Sequence, residues 1–264
     1  MLFDGKGIQC SLADSGIVTV TFDIKDSGAN VIGKLMMEEL PKVIDALENC
    51  NEKKGIILRS NKEHFIFGAD ITEFLTHFGG TAETIKSWIF PMNGYLNRFE
   101  DMDVPSVCLI NGFALGGGFE LCLMADYRIA VKTAKVGLPE TKLGIIPGWG
   151  GTVRLPRLCG ADNAIEWITS GRQWKAEAAL KIGAVDAIVD ADQLDSLGEK
   201  FLLSCINGEM DWKQRKTEKK APLRLNQTEA TMVFETAKGF VAGMAGPNYP
   251  APVAAIKVMQ KACT

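Results

Sequence analysis

Three consecutive glycines, Gly116, Gly117 and Gly118, lie within the stretch NGFALGGGFELCLMAD (111–126). An apolar strand-like run, Val104 to Ile110, precedes them, and an apolar helix-like run, Phe119 to Met124, follows. Glycine permits close backbone approach and φ values that other residues avoid. A helix starting at such a turn directs unpaired N–H groups and the positive end of its dipole at whatever occupies the turn. Glu120 stands in the first helical turn, next to those amides. An amide cluster beside a carboxylate suits chemistry that needs both an anion stabiliser and a base.

The 264 residues are enough to bury a large core as one domain or two small ones. Lys+Arg 29 against Asp+Glu 32 gives a net charge of −3, which argues against a general nucleic-acid binder. No apolar run reaches the ~18–20 residues of a membrane span. The opening MLFDGKG has an early acid and no apolar core of a secretion signal, so a cytoplasmic location is expected. The seven cysteines are an odd number, scattered and without a C-x-x-C pair, which fits a reducing compartment. With only His64 and His77 present, a His/Cys metal site has little support, and acid–base work falls to carboxylates.

Ile17 to Phe22 alternates with period two, as a strand with one face on a core does. Gly33 to Asn49 has apolar residues at 36, 40, 43, 44 and 47, a helical spacing with Pro41 as a blemish. Gly55 to Leu58 reads as a buried strand, so the three elements suggest a parallel crossover. The stretch FIFGADITEF (65–74) runs from a strand into a turn and a helix. Asp70 followed by Glu73 matches a capping box, in which Asp70 is a cap and Glu73 reaches back. The amide of Ala69, just before that cap, is a candidate second donor to a shared site. Thr81 to Phe99 carries Trp88, Ile89, Met92, Leu96 and Phe99 at helical spacing, a core pattern.

Strands are expected at 126–131 and 135–138, followed by the loop PETKLGIIPGWGGT (139–152) with a second glycine cluster. That cluster is neither G-x-G-x-x-G nor a P-loop, so a nucleotide-binding reading is weak. Helices are expected at 152–158, 161–170, 175–182 and 192–206, with a short strand near Val185 to Val189. The basic stretch 213–222 reads as an exposed connection. Two helical runs, 227–243 and 252–262, close the chain on either side of GPNYPAP. The expected organisation is a catalytic core over 1–190 and a helical packing or oligomerisation region over 191–264.

Glu120 and Glu140 each follow a strand in a glycine- or proline-bounded setting, but spacing alone does not make two acids a catalytic pair. The motifs GAD (68–70), NGFALGGGFE (111–120) and LPETKLGIIPGWGG (138–151) resemble the enoyl-CoA hydratase/isomerase (crotonase) superfamily. Within it the chain looks like the N-terminal hydratase part of multifunctional bacterial fatty-acid oxidation subunits, over almost its whole length. The resemblance implies an α/β fold, a spiral of repeated ββα units with a C-terminal helical segment. It places two oxyanion-hole amides on Ala69 and Gly117 and two catalytic carboxylates on Glu120 and Glu140. It puts a water-holding amide on Gly148, with Gly116, Asp70 and Pro139 beside the water or substrate.

The implied activity is hydration of a trans-2-enoyl-CoA in fatty-acid β-oxidation, with a Δ3-to-Δ2 isomerase side activity. Coenzyme A enters only as part of the substrate, with no other cofactor and no metal. A homotrimer and a thiolase subunit are the implied partners. The multifunctional members continue into a nicotinamide-dependent dehydrogenase part that these residues do not contain. The competing reading is therefore a non-catalytic acyl-CoA-binding or assembly module.

Overall fold

A computed structural model describes residues 1–73 and 80–263, so Phe74 and His77 of the sequence readings lie outside the described residues. Seven strands form the larger sheet. Its edge is antiparallel: β1 (Phe3–Asp4), β2 (Ile8–Leu12) and β3 (Ile17–Phe22). From β3 the sheet continues in parallel through β4 (Gly55–Ser60) and β5 (Ser106–Ile110). Beyond the intervening β6 (Phe113–Leu115), it takes in β7 (Tyr127–Val131) and finally, from later in the chain, β10 (Ala187–Val189). A second, three-stranded sheet joins β6, β8 (Lys135–Gly137) and β9 (Trp174–Lys175).

The two sheets arise from one repeated step. After β5 the chain turns at Asn111-Gly112 and lays β6 on the second sheet, and after β7 it does the same with β8. Earlier turns leave shorter marks there, in parallel bridges between Ile32 and Ala69 and between Ile66 and Ala114. Each step stacks one strand-to-helix junction beside the last. The glycine-rich turns near 68, 116 and 148 are therefore brought toward one region although they are far apart in sequence. The α/β class and the helical C-terminal region expected from the sequence are both present.

The helix α1 (Lys34–Asn49) buries Met36, Leu40, Val43, Ile44 and Leu47, the residues whose spacing announced it. Pro41 sits inside α1 without ending it. An interior proline removes one backbone bond, and the continuous buried stripe outweighs that loss. Glu39, on the same face, accepts the amides of Lys6, Gly7 and Ile8 at 2.8, 2.9 and 2.9 Å, tying the first hairpin to the helix. Asp70 caps its turn as expected, its Oδ1 accepting the amide and hydroxyl of Thr72. Glu73 differs from the capping-box reading: it accepts the amide of Lys34 at 2.7 Å, across to the start of α1. A helix start without a side-chain cap of its own, as at Gly33, leaves that amide open to a carboxylate from elsewhere.

The α2 helix (Ala82–Glu100) packs against α1 and against α3 (Gly117–Met124), and every residue of α3 is buried. A helix apolar on all sides belongs inside the core. Four helices follow: α4 (Gly151–Cys159), α5 (Ala161–Ser170), α6 (Ala176–Lys181) and α7 (Leu194–Ile206). The closing pair is α9 (Gln227–Ala245) and α10 (Ala251–Cys263), with α8 (Trp212–Lys220) before them. The seven cysteines are free and buried, and no described helix is long and apolar enough to cross a membrane.

The basic stretch 213–222 is not an exposed connection. Most of it is α8, whose inner face turns Arg215, Lys216 and Lys219 onto acids of the core. Lys219 is only 4% exposed; its Nζ donates to the carbonyls of Met124 and Ala125 and lies 2.9 Å from Glu100 Oε1. Lys216 pairs with the buried Asp126 at 3.1 Å, and Arg215 with Asp186 at 2.6 Å. A run of charge in a sequence shows no partner, and here the partners lie some 30 to 120 residues away in the chain. Burial pushes the Lys219 ammonium down to about 8, against the opposing pull of Glu100 and Asp126.

Removing one member of a buried ion pair strands the other. Lys219→Met is therefore expected to lower unfolding free energy in urea by about 3 kcal/mol. A loss below about 1 kcal/mol, the range of an exposed pair, would contradict this placement.

Candidate active site

Gly116 caps α3 with φ 52° and ψ −131°, a conformation that a side chain would strain. Its amide is already used, donating to the carbonyl of Gly137 at 2.9 Å. The next residue, Gly117, lies against the Trp149 ring, where an added Cβ would come within 2.5 Å of a ring carbon. The backbone of Gly116 also packs on Gly68: a Cβ on Gly116 would stand 3.9 Å from the Gly68 Cα. The residues that follow these two glycines, Ala69 and Gly117, thus leave adjoining points of the backbone. Among the described residues neither of their amides donates to a protein acceptor.

Glu120 is 2% exposed and lies on the first turn of α3. One of its oxygens, Oε1, accepts two backbone amides, from Trp149 at 2.8 Å and from Gly151 at 2.7 Å. Gly151 is the first residue of α4, and Gly150, the capping position, offers no side-chain oxygen. The carboxylate of Glu120 does the capping instead, at the positive end of that helix. The second glycine cluster of the sequence is therefore a carboxylate grip rather than a phosphate loop.

Glu140 enters from a 3₁₀ turn, Pro139–Leu143, with Pro139 at its start. It is 8% exposed, and its Oε1 stands 3.1 Å from where a Cβ of Gly116 would be. Its Oε2 is buried with no hydrogen-bond partner among the described residues. Behind it, the Tyr249 hydroxyl donates to the carbonyl of Thr141, and the Thr141 hydroxyl donates to the Ile168 carbonyl at 2.8 Å. The GPNYPAP segment thus supports the turn that carries Glu140.

The two acids differ in what surrounds them. Burial raises Glu120 to about 7, held back by the two amides and by the positive charge of Arg154. Burial raises Glu140 well above the ordinary carboxylate range, and the charge of Glu120 raises it further. Among the described residues only the backbone amide of Glu140 itself opposes this. Glu120 thus sits near its midpoint at neutral pH, and Glu140 favours its protonated form more than an ordinary carboxyl does.

The structure brings Glu120, Glu140, Gly116 and Gly117 into one neighbourhood, with the backbone of Gly68 against it. Asp70 faces its own cap, and Pro139 serves as the start of the 3₁₀ turn. The carbonyl of Gly148 accepts the Asn93 side chain at 2.8 Å, while the amides that reach Glu120 belong to Trp149 and Gly151. These two donors, Arg154 and Tyr249 escaped the sequence reading. The one available signal was a helix start at Gly150-Gly151 with no capping side chain of its own.

A model of the enoyl-CoA hydratase/isomerase family matches residues 13–236. The chain is 52% identical over 262 residues to a protein of Pseudomonas aeruginosa named fatty acid oxidation complex subunit alpha. It is 51% identical to the protein of that name from Pseudomonas putida. Each alignment takes in 99% of this chain, which spans 37% of the length of the relative. A crystal structure of an enoyl-CoA hydratase from Bacillus anthracis superposes with a TM-score of 0.70 at 28% identity, covering 90% of this chain and 96% of that one. A Legionella pneumophila structure, at 21% identity, shares the fold with a TM-score of 0.72 and 96% of each chain covered. With the motifs at 68–70, 111–120 and 138–151 inside the matched span, the chain belongs to the enoyl-CoA hydratase/isomerase family.

Proposed function

We propose that this chain hydrates trans-2-enoyl-CoA thioesters in fatty-acid β-oxidation, by syn addition of water. The observation that carries this reading is the pairing of two buried glutamates with opposite environments. Glu120 is held by amide donors, whereas Glu140 has one oxygen unpartnered among the described residues. Two carboxyls pushed apart in proton affinity divide acid and base roles at one pH. Glu120 takes a proton from water as the oxygen attacks C3, and Glu140 gives its proton to C2. Negative charge develops on the thioester oxygen, and the amides of Ala69 and Gly117 receive it. Fixed donors of this kind contribute about 3 kcal/mol each in the transition state, and the α3 dipole adds to the Gly117 amide.

The water lies against Glu120, with the Gly148 amide as its further donor. In its ionised form Glu140 takes a proton from C2 and returns it to C4 as the double bond shifts, so Δ3-to-Δ2 isomerisation follows as a side activity of that form. The reading takes coenzyme A as the substrate's handle and needs no metal or second cofactor. It also carries a cytoplasmic setting, trimeric packing through 191–264 and a thiolase subunit as partner. The names of the Pseudomonas relatives favour catalysis in a larger assembly over a binding module.

Crotonyl-CoA turnover, followed by loss of the enoyl thioester absorbance, tests the reading; binding without turnover at high protein concentration would contradict it. Glu120→Gln is expected to lower hydration by roughly 10²–10⁴-fold while sparing part of the isomerisation. Glu140→Gln is expected to lose both, and equal losses of the two activities in Glu120→Gln would contradict the division of roles.

The base works deprotonated and the acid works protonated, so kcat/KM rises with pH through about 7 and falls at higher pH. A profile flat across neutrality would contradict it. Stability carries the opposite sign. A carboxyl raised from 4.5 to about 7 on folding binds more protons folded than unfolded, so its contribution is full below 4.5 and lost as pH rises through about 7. The Tm of Glu120→Gln relative to the wild type is therefore expected to climb between about pH 5 and about pH 8. An offset that stays constant, or falls, would show that Glu120 is not raised on folding.

A further inference from the structure

Arg154 lies in the first turns of α4 and is 5% exposed. Three of the five N–H donors of its guanidinium are engaged, on two sides. Nε donates to Glu100 Oε2 at 2.8 Å, Nη2 to Asn97 Oδ1 at 2.7 Å, and Nη1 to the carbonyl of Trp149 at 3.1 Å. Gly150 makes room for it: with φ 101°, a Cβ there would fall 1.9 Å from Nη1. Trp149 therefore faces two ways, its carbonyl bound by Arg154 and its amide bound to Glu120. Two residues on, the Gly151 amide completes the grip.

Resting on the hydratase reading, we propose that Arg154 is a positioning residue that locks the 149–151 turn so that its two amides stay on Glu120. The lock is itself braced. Asn97 and Glu100 come from α2, and Glu100 is bound in turn by Lys219 of α8. The planar fork is what meets these acceptors together, which a single ammonium does not reproduce. The charged groups facing Glu120 are Arg154 from α4 and Glu140 from the 3₁₀ turn. Glu100 and Lys219 stand behind Arg154, and the charges nearest Lys219 beyond them are Asp126 and Arg128. Among the described residues Arg154 is thus the cation acting on the base, and Glu100 is the anion that tempers it.

Opposite shifts test this. Arg154→Met frees the turn and removes the cation, so the acidic limb of kcat/KM is expected to move up by about one pH unit. KM for crotonyl-CoA should change less than kcat, and Arg154→Lys should recover part of the shift. Glu100→Gln removes the tempering anion but keeps an acceptor for Nε, so the limb is expected to move down. A limb unmoved in Arg154→Met, with kcat lowered by one factor at every pH, would overturn the proposal and leave a merely structural residue. Should Arg154→Met fail to fold, Glu100→Gln decides: a limb unmoved or moved up overturns it. The same shifts are read without turnover by titrating ¹³C-labelled glutamate carboxyls, with Glu120 assigned by its loss in Glu120→Gln. Wild-type protein that turns over no crotonyl-CoA sinks the hydratase reading and leaves that titration intact. An unchanged Glu120 titration in Arg154→Met sinks the lock even where hydration stands.

Discussion

A carboxylate 2% exposed to solvent must find its hydrogen bonds inside the protein or give up its charge. For Glu120 the bonds come from the amides of Trp149 and Gly151, and much of the site is arranged around supplying them. The turn that presents these amides begins a helix with no side-chain cap, so helix and carboxylate each complete the other. Glycine at 150 admits the guanidinium that grips the turn from behind. Glycines at 116 and 117 let the α3 junction come up against Glu140 and the Trp149 ring. Sequence features that look like two separate glycine loops thus serve one constraint.

The second glutamate obeys the same physics with the opposite outcome. Glu140 receives no comparable set of donors among the described residues, so burial and the neighbouring charge raise its proton affinity. The difference between the two residues lies in their surroundings and not in their chemistry. One is solvated by backbone, and the other faces a region with an oxygen unpartnered among the described residues. The supports of both reach far into the chain, through Asn97, Glu100 and Lys219 for the first and through Tyr249 for the second. The segments after residue 191 therefore brace the turns that carry both glutamates.

Much of this is legible in the sequence. The stripe at 36, 40, 43, 44 and 47 marked α1 because burial on one face imposes its period on the sequence. The strand at 17–22 and the helix at 161–170 announced themselves in the same way, and the helix expected over 192–206 forms over Leu194–Ile206. What stayed hidden depends on partners distant in the chain. Nothing local distinguishes Lys219, buried on Glu100, from its exposed neighbours in 213–222. Glu73 fitted a local box while its carboxylate serves Lys34, thirty-nine residues away. Backbone donors have no letter in a sequence, so the amides of Trp149 and Gly151 became visible only when the fold set them beside Glu120.

The central claim is that one fixed carboxyl, Glu140, delivers the proton to C2 on the same face of the substrate that receives water under Glu120. Hydrating crotonyl-CoA in D₂O and reading the product by NMR tests this most directly. The account predicts one deuterium at C2, on a single face, syn to the new hydroxyl at C3. Deuterium distributed over both faces of C2, or placed anti to the hydroxyl, would contradict it.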